Sequence, residues 1–160
     1  MIDVGDDGVT VNDAGDVDTG DNDLLNHPII TLVTPGGATA TVDYSLDVPA
    51  GDYRIEFYAD VDEPRNPLGY GAGEILAGSH SITHTGSGVE TFQATITDQG
   101  DSWLAATATE DLGGGDYGST SEFGPTVCAG DDDGDGLCNL WEDADTDDDQ
   151  DPSTTPGPDA

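Results

Sequence analysis

The sequence contains no lysine and only two arginines, Arg54 and Arg65, against 35 acidic residues, for a formal net charge of −33 over 160 residues. Nucleic acid and anionic membrane surfaces both require basic patches, so neither is expected as a partner. No apolar run approaches the ~20 residues of a membrane-spanning helix, which excludes membrane insertion of that kind. The opening MIDVGDDGVT lacks the basic and apolar regions of a signal peptide. Three histidines and two cysteines supply too few soft ligands for a zinc site. No nucleophile is framed by a base: Gly86-Ser87-Gly88 reads as a turn and Ser119–Ser121 as strand. Acids are so frequent that no pair stands out as a glycosidase dyad. The chain is therefore expected not to be an enzyme.

The acids are spread unevenly, with eight in residues 1–23, fifteen in 24–127 and twelve in 128–160. In both tails Asp recurs at alternate positions, a pattern suited to cation binding. In the middle the acids stand singly within an apolar and Thr-rich pattern. Avoidance of lysine there fits a surface adapted to high salt, because at ~1 M salt the Debye length is only ~3 Å and self-repulsion is screened.

Three segments follow from composition. Residues 1–23 are rich in Gly, Asp and Asn and read as an acidic junction. Residues 24–127 carry strand patterning. Residues 128–160 hold an Asp-rich loop and a Pro-rich linker. Within the middle segment Ala40, Val42, Tyr44 and Leu46 alternate with polar residues. Tyr53, Ile55, Phe57 and Ala59 do the same, leaving Arg54, Glu56 and Tyr58 outward. Further strands are predicted near 28–34, 75–85, 89–97, 103–109 and 120–123. Seven short strands with regular turn signals predict an all-β, immunoglobulin-like antiparallel sandwich with an irregular calcium-binding tail. The expected core includes Val42, Tyr44, Ile55, Phe57, Leu76, Ile82, Phe92, Ile96 and Ala106.

The sharpest motif is Asp131-x-Asp133-x-Asp135-Gly136-x5-Glu142, which fits the twelve-residue calcium loop at every specified position. Alternate carboxylates converge when the chain curls, and Gly136 permits the turn. The Leu137 carbonyl and Asn139 complete the ring, and Glu142 closes it with two oxygens. Gly124-Pro125 and Ala129-Gly130 preclude an entering helix, so this is not a full EF-hand. Cys128 precedes the loop and Cys138 lies within it, and the two are expected to form a disulfide in an exported chain. A second candidate, Asp16-x-Asp18-x-Gly20-x-Asn22, has similar spacing near the N-terminus. His80 and His84 resemble a metal pair, but on a strand they lie ~13 Å apart, too far to share an ion.

Four blocks carry a resemblance: GDVDTGDNDLLNHPII (15–30), YRIEFYAD (53–60), PLGYGAGEILAGSHSITHT (67–85) and WLAATATEDLGGGDYGSTSEF (103–123). Together they resemble the immunoglobulin-like module that follows right-handed parallel β-helices in bacterial and archaeal surface proteins. His27 departs from the aromatic expected before Pro28, and 60–66 lacks an expected cysteine. The tail resembles thrombospondin type 3 repeats, with Asp131, Asp133, Asp135, Asn139 and Glu142 at the liganding positions. These families imply an extracellular or cell-surface location, calcium (Ca2+) as the cofactor, and partners among adjoining domains of a longer chain, a β-helix included. Both ends of the sequence read as torn edges of such a chain. The function expected is a calcium-binding structural or adhesive module. The alternative is an accessory carbohydrate-binding domain of a secreted hydrolase, which would be favoured if two of Tyr58, Tyr70, Trp103 and Tyr117 shared an exposed face. A surface polysaccharide would then be the partner.

Overall fold

A computed structural model describes residues 8–60, 69–71, 73–100 and 102–129. Eight strands follow in order: β1 (Ile29–Pro35), β2 (Thr39–Leu46), β3 (Gly51–Asp60), β4 (Ile75–His84), β5 (Glu90–Thr97), β6 (Trp103–Gly113), β7 (Asp116–Thr120) and β8 (Val127–Cys128). No α-helix occurs among the described residues; a 3-10 turn at Asp21–Leu24 precedes β1. One sheet has the order β1-β2-β5. The other has the order β4-β3-β6-β7, with β8 also paired to β6. Every pairing is antiparallel. The chain crosses between sheets after β2, β4 and β5, so β2 pairs with β5 and β3 with β6. This is the Greek-key connectivity of an immunoglobulin-like sandwich.

Period-two alternation positions the core. Ala40, Val42, Tyr44 and Leu46 of β2 face Tyr53, Ile55, Phe57 and Ala59 of β3, and all eight are buried. Each large apolar side chain buried in this way contributes about 1.5–3 kcal/mol. Tyr44 sits at the centre, in edge contact with Phe57 (5.3 Å) and stacked on Phe92 (5.6 Å). Its hydroxyl meets His80 Nδ1 at 2.8 Å, so the one polar atom of this ring is satisfied inside the sandwich. His84, also inward, is held separately. Gly86 N–H donates to its Nδ1, leaving Nε2–H to donate to the Leu46 carbonyl at 3.1 Å.

Three features differ from the strand pattern read in the sequence. Leu76 is not in the core but 52% exposed. A bulge pairs Phe57 with Gly78 and Tyr58 with Leu76, so β4 carries one extra residue there. The inward parity moves to Ala77, which is 4% exposed, and Leu76 turns outward. Phe92 is only partly buried at the margin of the core. The strand expected near 120–123 is β7 at Asp116–Thr120. Gly113, Gly114 and Gly115 all take left-handed φ (82°, 69° and 92°) and close a β6–β7 hairpin that few other residues would allow.

Leu76→Ser is expected to change stability by no more than about 0.5 kcal/mol, as for exposed sites. Ile82→Ser on the same strand should cost about 2–5 kcal/mol, through a cavity and a buried hydroxyl. Urea midpoints measure both, and equal losses would place Leu76 in the core after all.

Candidate metal centre

Residues Asp131, Asp133, Asp135, Leu137, Asn139, Glu142 and Cys138 lie outside the described residues. Their point of attachment does not. Cys128 is buried in β8 opposite Trp103, and Ala129 N–H donates to the Ser102 carbonyl at 2.9 Å. Cys128 and Ala129 are thus anchored to the end of the five-stranded sheet.

The N-terminal candidate is described in full. Residues 8–24 lie against the sandwich through a run of hydrogen bonds. Thr10 N–H donates to Glu122 Oε2 at 2.7 Å. Asn12 and His27 exchange two bonds, Asn12 Nδ2 donating to the His27 carbonyl and His27 N–H to Asn12 Oδ1. Asn26, 2% exposed, accepts from Asp13 N–H. Its Nδ2 donates to the carbonyls of both Asp13 and Asp47. Gly15 N–H donates to Asp47 Oδ2 at 3.0 Å, and Ser119 Oγ donates to Asp23 Oδ2.

Inside this strap the chain reverses at Gly15 and Asp16, both with left-handed φ (77° and 53°). Asp tolerates that region better than most residues because its short side chain bonds locally. The reversal gathers Asp13, Asp16 and Asp18, one carboxylate oxygen of each lying within 4.8 Å of the others. Asp16 Oδ1 accepts from Asn26 N–H at 2.7 Å, and both Asp13 oxygens accept from Val17 N–H at 3.3 Å. Asp18 Oδ1 and, at the nearby Asp47, Oδ1 are buried with no hydrogen-bond partner.

Crowding of like charge has a measurable signature. Burial, first, and then the charges of Asp18, Asp13 and Asp47 push the Asp16 carboxyl up to about 6, against the opposing bond from Asn26 N–H. His27 moves the other way. Burial alone lowers it to about 4, which keeps it neutral beside Tyr70, whose ring meets it edge-on at 5.9 Å.

Of the N-terminal residues singled out in the sequence, the structure brings together Asp16 and Asp18. Asn22 is an exposed residue of the 3-10 turn, where its carbonyl accepts from Leu25 N–H. Asp13 takes part instead, with Asp47 adjacent. Asp13 was within reach of sequence reasoning, since Asp13-x-x-Asp16-x-Asp18 brackets a Gly turn. Asp47 lies 29 residues beyond Asp18, and nothing local marked it. Compared with known proteins, the chain matches no family model and no curated sequence.

With divalent ions chelated, the raised Asp16 pKa makes the folded state bind a proton that the unfolded chain releases at 3.8. That contribution to stability is present below about pH 3.8 and lost as pH rises through 6. His27 acts with the opposite sign, losing stability as pH falls from 6.5 through 4. Comparison with an Asp16→Asn variant isolates the first effect. Melting curves in EDTA from pH 4 to 7 should converge at the acid end and separate toward neutrality, with the variant more stable at pH 7. Parallel curves would show Asp16 unperturbed.

Proposed function

We propose that this chain is a calcium-binding structural or adhesive module of an extracellular surface protein adapted to high salt. The observation that carries the reading is the convergence of Asp13, Asp16 and Asp18 beside an unpartnered Asp18 oxygen. The donor set is oxygen only and anionic, the preference of a hard cation. Several carboxylates on a pliant turn suit calcium, with its 6–8 ligands and flexible geometry, better than octahedral magnesium. A bound cation would relieve the repulsion that raises Asp16 and would fasten residues 8–24 to the sandwich.

On this reading the tail supplies a second site. Asp131, Asp133, Asp135, Asn139 and Glu142, with the Leu137 carbonyl, would ring the ion, and a Cys128–Cys138 disulfide would hold the loop against β8. Calcium at both ends of one sandwich would stiffen its junctions with neighbouring domains, a β-helix on the N-terminal side being the neighbour that the resemblance implies. Rigid spacing at a cell surface, not catalysis, is the task such a device performs.

Affinities in the ~10⁻⁴–10⁻³ M range are expected for sites that no helices preorganise. Ten millimolar calcium should then stabilise the fold by about 1.4–2.7 kcal/mol per site. Calorimetric titration of the Asp16→Asn/Asp18→Asn pair and of the Asp133→Ala/Glu142→Ala pair should each show one class of site missing. Unchanged stoichiometry in both pairs overturns the proposal.

Salt should act separately. Raising NaCl from low to molar concentration, with calcium chelated, screens the 33 surplus charges and should raise the melting temperature. A flat or falling melting temperature would contradict adaptation to salt.

A further inference from the structure

The outward side chains of β3 form a row that calcium binding does not use. Arg54, Glu56 and Tyr58 alternate with core residues and therefore share the outer face of the five-stranded sheet. Arg54 Nη2 lies 2.7 Å from Glu56 Oε1, and Tyr58 Oη donates to Glu56 Oε2 at 3.3 Å. The Arg54 guanidinium sits 5.8 Å from the centroid of the Tyr117 ring on β7 and donates to its hydroxyl at 3.4 Å. Across the groove the hydroxyls of Thr109 and Thr120 share a hydrogen bond of 3.0 Å. Phe123 closes one end, edge-on to Tyr58 at 5.4 Å. It packs over Gly73, where φ is +76° and any Cβ would meet the ring at 2.5 Å. The side chains of β3, β6 and β7 named above, with Phe123, line an open groove of about 360 Å³, within the range of ordinary small-ligand sites.

We propose that this groove binds a neutral saccharide. Three observations select that class. First, the groove is locally charge-balanced: the only arginine among the described residues is matched by Glu56. An anionic ligand would have to displace Glu56 and approach a chain of net charge −33. A purely apolar ligand would bury the ion pair without satisfying it.

Second, the polar groups alternate in kind. A guanidinium that only donates, a carboxylate that only accepts and hydroxyls that do both are the set needed to grip vicinal sugar hydroxyls. Third, Tyr117 keeps 49% of its surface exposed at a concave site, offering an aromatic face to the C–H side of a pyranose. Of the four aromatics considered from the sequence, Tyr58 and Tyr117 line this groove together. The site is independent of the calcium centre, which uses none of these residues.

The test uses the full chain in molar salt with calcium present. Cellohexaose, xylohexaose and mannohexaose serve as probes, with polygalacturonate as the anionic counterpart. Isothermal titration should show at least one neutral hexasaccharide binding. Tyr117→Ala and Glu56→Gln should each weaken it tenfold or more. Both positions lie outside the core, so the variants should keep the wild-type melting temperature and its rise with calcium, which confirms that they are folded. Asp16→Asn/Asp18→Asn should leave sugar affinity unchanged while removing the calcium response, so the two readings fail separately. No neutral hexasaccharide binding at millimolar concentration, binding that survives Tyr117→Ala, or preference for polygalacturonate would each overturn the proposal.

Discussion

The side-chain amide of Asn26 joins two stretches of chain that would otherwise repel each other. One of its N–H groups reaches the Asp13 carbonyl, the other the Asp47 carbonyl, and its oxygen accepts from Asp13 N–H. The residue is buried, so water cannot replace these bonds, and losing them would strand several backbone groups at about 1–3 kcal/mol each. The polypeptide on either side carries acidic groups, Asp13, Asp16 and Asp18 in the strap and Asp47 just past the end of β2. A neutral amide can bind both where a lysine or arginine is absent. The acidic pocket depends on this amide, which shares the docking of residues 8–24 with the bonds made by Thr10, Asn12, Gly15 and Asp23.

The same economy of cations shapes the rest of the surface. Acids on the strands are met by neutral donors. Gln93 Nε2 donates to Asp43, Thr83 Oγ1 to Asp52 and Ser119 N–H to Glu110. Thr85 holds Glu90 through both its backbone N–H and its hydroxyl. Such contacts keep their geometry when ions screen long-range attraction, because donor and acceptor touch and leave no room for an ion between them. A surface laced with lysine–glutamate pairs would have more to lose.

How much of this was legible in the sequence varied with the range of the interaction. The alternation in β2 and β3 was plain because it is local: every second residue from Ala40 to Leu46 and from Tyr53 to Ala59 is apolar, and the sandwich followed from it. Leu76 misled because parity breaks at a bulge, which is set by how β4 meets β3 and leaves no mark in the residues of β4 itself. The Gly113–Gly115 turn is not legible in the sequence, because three glycines carry no pattern of their own; only their positive φ shows that they close a hairpin. The acidic site was half visible. Asp16 and Asp18 share a spacing, but Asp47 and Asn26 reach them through the fold. The loop of Asp131–Glu142 rests on sequence spacing alone, since it lies beyond the described residues.

The bulge that turns Leu76 outward also bears on how copies of the molecule behave toward one another. An exposed strand edge is a template for another strand. Of the outer strands among the described residues, β1, β4 and β7 carry a break in register, between Ile30 and Leu32, opposite Phe57 and Tyr58, and along the β7 pairing, whereas β5 pairs with β2 in unbroken register. In dilute buffer the net negative charge alone would hold copies apart. In ~1 M salt, with the Debye length down to ~3 Å, that colloidal protection is gone. Irregular edges are not screened by ions, so at β1, β4 and β7 shape would discourage an added strand where charge no longer can, which leaves β5 as the regular edge.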